Sequence, residues 1–113
     1  MIICHWTKLH WTVICVGHFG SESIQRFFAA VLKLESVEEC EAFFEDVCTI
    51  KEVENMASRL AVAFLLNEGK NYLEVTKATG VSTATISRVS KCLNYGPGGY
   101  SLAIERLSGE EAK

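Results

Sequence analysis

A chain of 113 residues, 49% of them apolar, has room for one domain and enough side-chain bulk to furnish a core. Its formal net charge of −3 excludes a uniformly basic surface, so any nucleic-acid role has to rest on how the charge is distributed. Five cysteines, Cys4, Cys15, Cys40, Cys48 and Cys92, are odd in number and form no Cys-x-x-Cys pair, which argues against a disulfide framework and for a reducing cytoplasm.

In chain order the first segment stands apart. Trp6, Trp11, Val13, Ile14, Val16 and Phe19 are aromatic or β-branched and draw no helical stripe. His5, Lys8, His10 and His18 interrupt the run, which is too short and too polar for a membrane span. It also lacks the basic start and small-residue cleavage site of a signal peptide. All three histidines lie here, away from Cys40, Cys48 and Cys92, so neither a zinc site nor a Cys/His catalytic pair is expected, and no metal, catalytic residue or enzyme activity is assigned. Residues 1–20 are read as an extension from a mis-assigned start or a vector-derived segment, with a genuine N-terminal arm as the alternative, and residues 21–113 as the domain.

The rest of the chain has helix-period apolar spacing and a single proline, which predicts an all-α fold of about six helices. Helix one is expected over Glu22 to Leu34, with Ile24, Phe27, Phe28, Val31 and Leu32 on one face. Ser36 and Glu39 predict a capping box for a second helix that turns Val37, Cys40, Phe44 and Val47 inward and keeps Glu38, Glu41 and Glu45 wet. Thr49 and Glu52 predict another box, opening a helix that carries Ile50, Val53, Met56, Ala57, Leu60, Ala61 and Phe64 and stops at Gly69. Cys40, Cys48 and Cys92 sit among apolar positions, where a thiol acts as a small hydrophobe.

Tyr72 to Leu93 then reads as two short helices joined by a tight turn. Asn71 and Glu74 form a capping box, Gly80 accepts the left-handed turn, and Ser82 caps the second helix. Val75, Val81, Ile86 and Val89 are spaced to pack the pair. Thr83, Ala84, Thr85, Ser87, Arg88 and Lys91 remain outside. Hydroxyls and methyls of this kind suit base edges and thymine methyls, Arg88 suits guanine or phosphate, and Lys91 and Lys70 suit phosphate. Asn94 to Gly99 is expected to be a turn, and Tyr100, Ala103, Ile104 and Leu107 sketch a last short helix.

Charge follows the same division. Residues 22–54 carry nine acids against three bases, whereas residues 70–91 carry Lys70, Lys77, Arg88 and Lys91 against Glu74 alone. DNA senses the field within a Debye length of about 10 Å, so a basic reader on an acidic scaffold can still bind it.

Gly80-Val81-Ser82-Thr83-Ala84-Thr85-Ile86-Ser87-Arg88-Val89 and the following Leu93-Asn94-Tyr95-Gly96 resemble the Trp-repressor-like YerC/YecD family. Ala57-Ser58-Arg59-Leu60, Leu65-Leu66-Asn67-Glu68-Gly69, Leu34 to Cys40 and Phe43 to Ile50 fit it too, so the resemblance covers about residues 21–107. It implies an intertwined, all-helical homodimer that binds double-stranded operator DNA. It also implies that Arg59 and Arg88 match the two arginines between which the tryptophan-sensing repressors hold the indole. The glycine that those repressors keep after the second arginine is replaced by Val89, whose methyls crowd that place. Tryptophan is therefore not expected as a corepressor; another small-molecule effector, or none, stays open.

Two function classes meet these residues. One is a homodimeric, sequence-specific transcriptional regulator, a repressor by resemblance, reading DNA through Ser82, Thr83, Ala84, Thr85, Ser87, Arg88 and Lys91, with Lys70 and Lys77 beside them. The other is a protein-interaction module of a regulatory complex, without direct DNA readout. An interface core would present aromatic or leucine residues on the reader's exterior, and Thr, Ser, Ala, Arg and Lys stand there instead.

Overall fold

The structure, a computed structural model, describes residues 20–112; the expectation for the N-terminal extension lies outside it apart from Gly20. The described residues form six helices: α1 (Glu22–Leu32), α2 (Val37–Val47), α3 (Ile50–Asn67), α4 (Tyr72–Thr79), α5 (Thr83–Tyr95) and α6 (Gly99–Ala112). The all-α expectation holds. The chain divides into two compact units, one ending at Val47 and one beginning at Cys48.

In the first unit Ser21 Oγ accepts from the Ile24 N–H at 3.2 Å and starts α1. The helix stops at Leu32 rather than the expected Leu34. There the Lys33 N–H bonds the Ala30 carbonyl and the Leu34 N–H the Val31 carbonyl, tightening the last turn. Ser36 Oγ accepts from the Glu39 N–H at 3.1 Å, but the Glu39 carboxylate reaches past Ser36 to the Glu35 N–H at 2.7 Å. The predicted box is thus half formed and displaced by one residue. Phe27 anchors an aromatic cluster, its ring 5.8 Å from those of Phe28 and Phe43 and 6.2 Å from Phe44. Phe43 and Phe44 meet edge to face at 5.3 Å, a favoured aromatic geometry. Leu32, Val37 and Val47, expected to face inward, are exposed; the rings of Phe27, Phe43 and Phe44 take the half-buried positions.

In the second unit the Thr49–Glu52 box forms as expected, with bonds of 3.1 and 2.7 Å. The far end of α3 closes through a Schellman arrangement. The Lys70 N–H bonds the Leu65 carbonyl and the Gly69 N–H the Leu66 carbonyl, with Gly69 left-handed at φ 92°. α3 packs on α4, α5 and α6 around Val62, Ala63, Val75, Ile86, Val89 and Ile104, flanked by Leu65, Leu66, Val81, Leu93 and Tyr100.

This core corrects the stripe expected on α3. Ile50, Met56, Ala57 and Ala61 are exposed, Val53, Leu60 and Phe64 are half-buried, and the fully buried pair is Val62 and Ala63. α3 is apolar on two faces, and the neighbours within its own chain cover the one that carries Val62, Ala63 and Leu66. Further along, α5 runs through Tyr95, which shortens the expected turn to Gly96–Gly98, and α6 is 14 residues long. Ile104 is buried and Ala103 and Tyr100 half-buried as expected, while Leu107 is exposed. Cys40 and Cys48 are half-buried thiols, but Cys92 is exposed and does not act as a core hydrophobe.

Candidate nucleic-acid interface

The reader is assembled from its caps inward. Asn71 Oδ1 accepts from the Glu74 N–H and Glu74 Oε1 from the Asn71 N–H, both at 2.9 Å, so the first turn of α4 is closed at both ends. At its other end the Gly80 N–H bonds the Thr76 carbonyl at 2.8 Å, and Gly80 takes the left-handed φ of 74°. Thr79 stitches the turn further, its hydroxyl donating to the Val75 carbonyl at 2.8 Å and accepting from the Val81 N–H at 3.2 Å. Ser82 Oγ then accepts from the Thr85 N–H at 3.3 Å and starts α5. Between the two helices Val75, Ile86 and Val89 are fully buried with Val81 half-buried beside them, as their spacing predicts.

That packing fixes which side of α5 meets water. Thr83, Ala84, Ser87, Arg88 and Lys91 are exposed, as is Ser82. Thr85 differs from expectation: it is half-buried, and its hydroxyl receives the Ser82 Oγ–H at 3.2 Å, so it belongs to the cap as much as to the surface. Lys77 is exposed on α4, and Lys70 is exposed just before the Asn71 cap of that helix. Glu74, the single acid from 70 to 91, is bent back into its cap. The first turn of α5 holds no acid, so the positive end of its dipole is not neutralised locally.

A polar row that sequence reading missed runs beside these residues. The Tyr72 phenol meets Ser87 and then Ser90, and those hydroxyls hold its pKa below the usual 10. Asn94 Nδ2 donates to the Ser90 carbonyl at 2.9 Å and lies 3.4 Å from Ser90 Oγ. The signal was present as the spacing of Ser87, Ser90 and Asn94, three and then four residues apart on one helix face.

Of the two arginines, Arg59 is half-buried one turn before Val62 and Ala63 on α3, and Arg88 is exposed on α5. Val89, next to Arg88, is 1% exposed and belongs to the core. Among the described residues no cluster of three or more His, Cys, Asp or Glu could hold a metal, and no helix is long and apolar enough to cross a membrane.

Comparison with known proteins places this arrangement. The family model for the Trp repressor protein matches residues 22–108. YerC of Bacillus subtilis (strain 168), itself uncharacterized, is 45% identical over 98 residues, spanning 87% of this chain and 94% of YerC. The crystal structure of a TrpR-like protein from Eubacterium eligens superposes with a TM-score of 0.76 at 45% identity, covering 78% of this chain and 91% of that one. A Trp repressor candidate from Staphylococcus aureus gives 0.75 at 38% identity, covering 78% and 88%. The family is one of regulatory DNA-binding proteins, not of enzymes.

Proposed function

The chain belongs to the Trp repressor family, and from that premise we propose that it is a sequence-specific DNA-binding transcriptional regulator, a repressor, acting as a homodimer in the cytoplasm. The observation that carries the reading is the exterior of α5: Thr83, Ala84, Ser87, Arg88 and Lys91 stand exposed on a helix anchored by the buried Ile86 and Val89. A helix held this firmly enters the major groove as a rigid body, its N-terminal half nearest the base edges. Thr83, Ala84 and Ser87 then read bases, while Arg88, Lys91, Lys70 and Lys77 anchor phosphates. Ser82 and Thr85 hold the end of the helix and border the same contact.

The dimer is supported by apolar surface that the described residues leave uncovered. Leu32 is 83% and Ile50 73% exposed, with Met56, Ala57 and Ala61 also in water. Burying such surface against a second copy removes it from solvent. Two readers about one helical turn apart also read a palindrome that one reader would hold weakly.

Binding of the full chain to a selected DNA pool at two salt concentrations tests the reading. Thr83→Ala or Ser87→Ala should cost about 1–3 kcal/mol on the preferred site and relax its sequence preference. Lys91→Ala or Lys70→Ala should weaken binding to all sequences and reduce the salt slope by about one unit per lost contact. A wild-type protein that enriches no sequence overturns the reading in favour of an interaction module.

A further inference from the structure

Helices α3 and α4 both end at a left-handed glycine, and they close in different ways. After α3 the backbone alone holds the chain: the Lys70 N–H reaches the Leu65 carbonyl and the Gly69 N–H the Leu66 carbonyl. After α4 the Gly80 N–H takes the Thr76 carbonyl at 2.8 Å. In this single-bond ending the next N–H, here that of Val81, receives no carbonyl of the helix. Its partner among the described residues is a side chain, the Thr79 hydroxyl, at 3.2 Å. The same hydroxyl donates to the Val75 carbonyl at 2.8 Å. Neither direction is open, because an N–H only gives and a carbonyl only accepts, so the one proton of Thr79 goes to Val75 and a lone pair to Val81.

We infer that Thr79 is a positioning residue for base readout: its hydroxyl clamps the turn between the two reader helices and so fixes the angle at which the first turn of α5 is presented. One end of the clamp is the carbonyl of Val75, a residue buried in the core, and Thr79 itself is half-buried. The other end is Val81, next to Ser82, the extended cap that starts α5, and two residues before Thr83. Further along, Ile86 and Val89 are buried and anchor the middle of α5 by themselves. The clamp therefore governs Thr83 and Ala84 most, and Ser87, which stands between the two anchors, least. A loosened first turn still attracts phosphate, since charge acts over distance. Hydrogen bonds to base edges, by contrast, weaken steeply once distance and angle are lost. Threonine suits the task because its β-branch leaves χ1 few choices. The inference rests on the DNA-binding reading and adds to it a residue that acts through the turn rather than by touching a base.

The experiment compares the full chain as wild type, Thr79→Val and Thr79→Ser. Wild type is selected on a randomised duplex pool, and all three proteins are then bound to the most enriched duplex and to a scrambled duplex of the same length. Thr79→Val keeps the shape and removes both bonds, whereas Thr79→Ser keeps the hydroxyl. The valine variant should melt about 4–8 °C lower, the worth of one hydrogen bond in a domain of this size, and binding is read well below that midpoint. Amide hydrogen exchange reports the clamp directly: the Val81 N–H should be protected in wild type and Thr79→Ser and exposed in Thr79→Val, with Ile86 and Val89 protected in all three. The ratio of affinities for the two duplexes should fall about three- to tenfold in Thr79→Val and recover in Thr79→Ser. Selection of Thr79→Val on the same pool should show the loss at the bases facing Thr83 and Ala84, with the preference at Ser87 kept. A Val81 N–H unprotected in wild type, a wild-type ratio in Thr79→Val, an equal loss on both duplexes, or a serine variant as poor as the valine variant overturns the inference alone. A wild type that enriches no sequence overturns the DNA-binding reading and this inference together.

Discussion

Asn71 and Glu74 bond each other reciprocally at 2.9 Å, and this single pair starts α4 and holds the one acid of the 70–91 segment, still exposed and charged, at the helix N-terminus. Asn71→Ala should cost about 1 kcal/mol of stability in a urea titration, the usual worth of such a cap. Glu74→Gln keeps an oxygen that can accept from the Asn71 N–H and removes the negative charge. It should leave the urea midpoint nearly unchanged and tighten binding to any DNA at low salt, with the gain vanishing as salt is raised.

Gly80 turns the chain between the two reader helices at φ 74°, and a Cβ placed there meets nothing within 4 Å. The cost of a side chain is therefore torsional rather than steric. Gly80→Ala should destabilise by about 1–2 kcal/mol and Gly80→Asn by less, since asparagine tolerates the left-handed region. Denaturant titration of the two variants against wild type checks the order.

Thr76 Oγ1 is buried without a hydrogen-bond partner among the described residues. Valine has nearly the same shape and the same β-branching, so Thr76→Val removes a desolvated hydroxyl without opening a cavity. It should stabilise the protein by about 1 kcal/mol. A loss of stability on chemical denaturation would mean that the hydroxyl has a partner in solution.

Light scattering at micromolar concentration should give about twice the 12.5 kDa mass of one chain. Ile50 and Met56 lie on the exposed face of α3, away from the buried Val62 and Ala63. Ile50→Glu/Met56→Glu should shift the mass toward the monomer by placing charge where apolar surface is to be covered. A monomeric wild type would remove the homodimer from the proposal.

Calorimetric titration with tryptophan should show no heat of binding, because Val89 fills its place in the core at 1% exposure. Val89→Gly should cost at least about 2 kcal/mol, from lost burial and from glycine inside a helix, whether or not tryptophan is added. Micromolar binding by the wild type would overturn the argument from Val89.

How much of this was legible in the sequence can be followed residue by residue. The caps at Thr49, Asn71 and Ser82 and the turn at Gly80 could be read directly, because each depends on a few residues adjacent in the chain. The packing of Val75, Ile86 and Val89 was legible as well, since α4 and α5 are short and consecutive and these residues have the spacing to face each other. Charge separation between residues 22–54 and 70–91 is a property of composition and needs no coordinates.

Only the tertiary structure decided which face of α3 its own chain covers. Periodicity marks both the Ile50–Phe64 stripe and the Val62–Ala63 face as apolar, and the choice depends on where α4, α5 and α6 come to lie. The same holds for Thr85, drawn into the cap of Ser82, and for Tyr72, brought onto Ser87 and Ser90 from 15 and 18 residues away. Local sequence specifies hydrogen bonds that close within one helical turn. Contacts between helices are specified by the packing of all their side chains at once, and for this protein those contacts settled the core face of α3 and the polar row beside the reader.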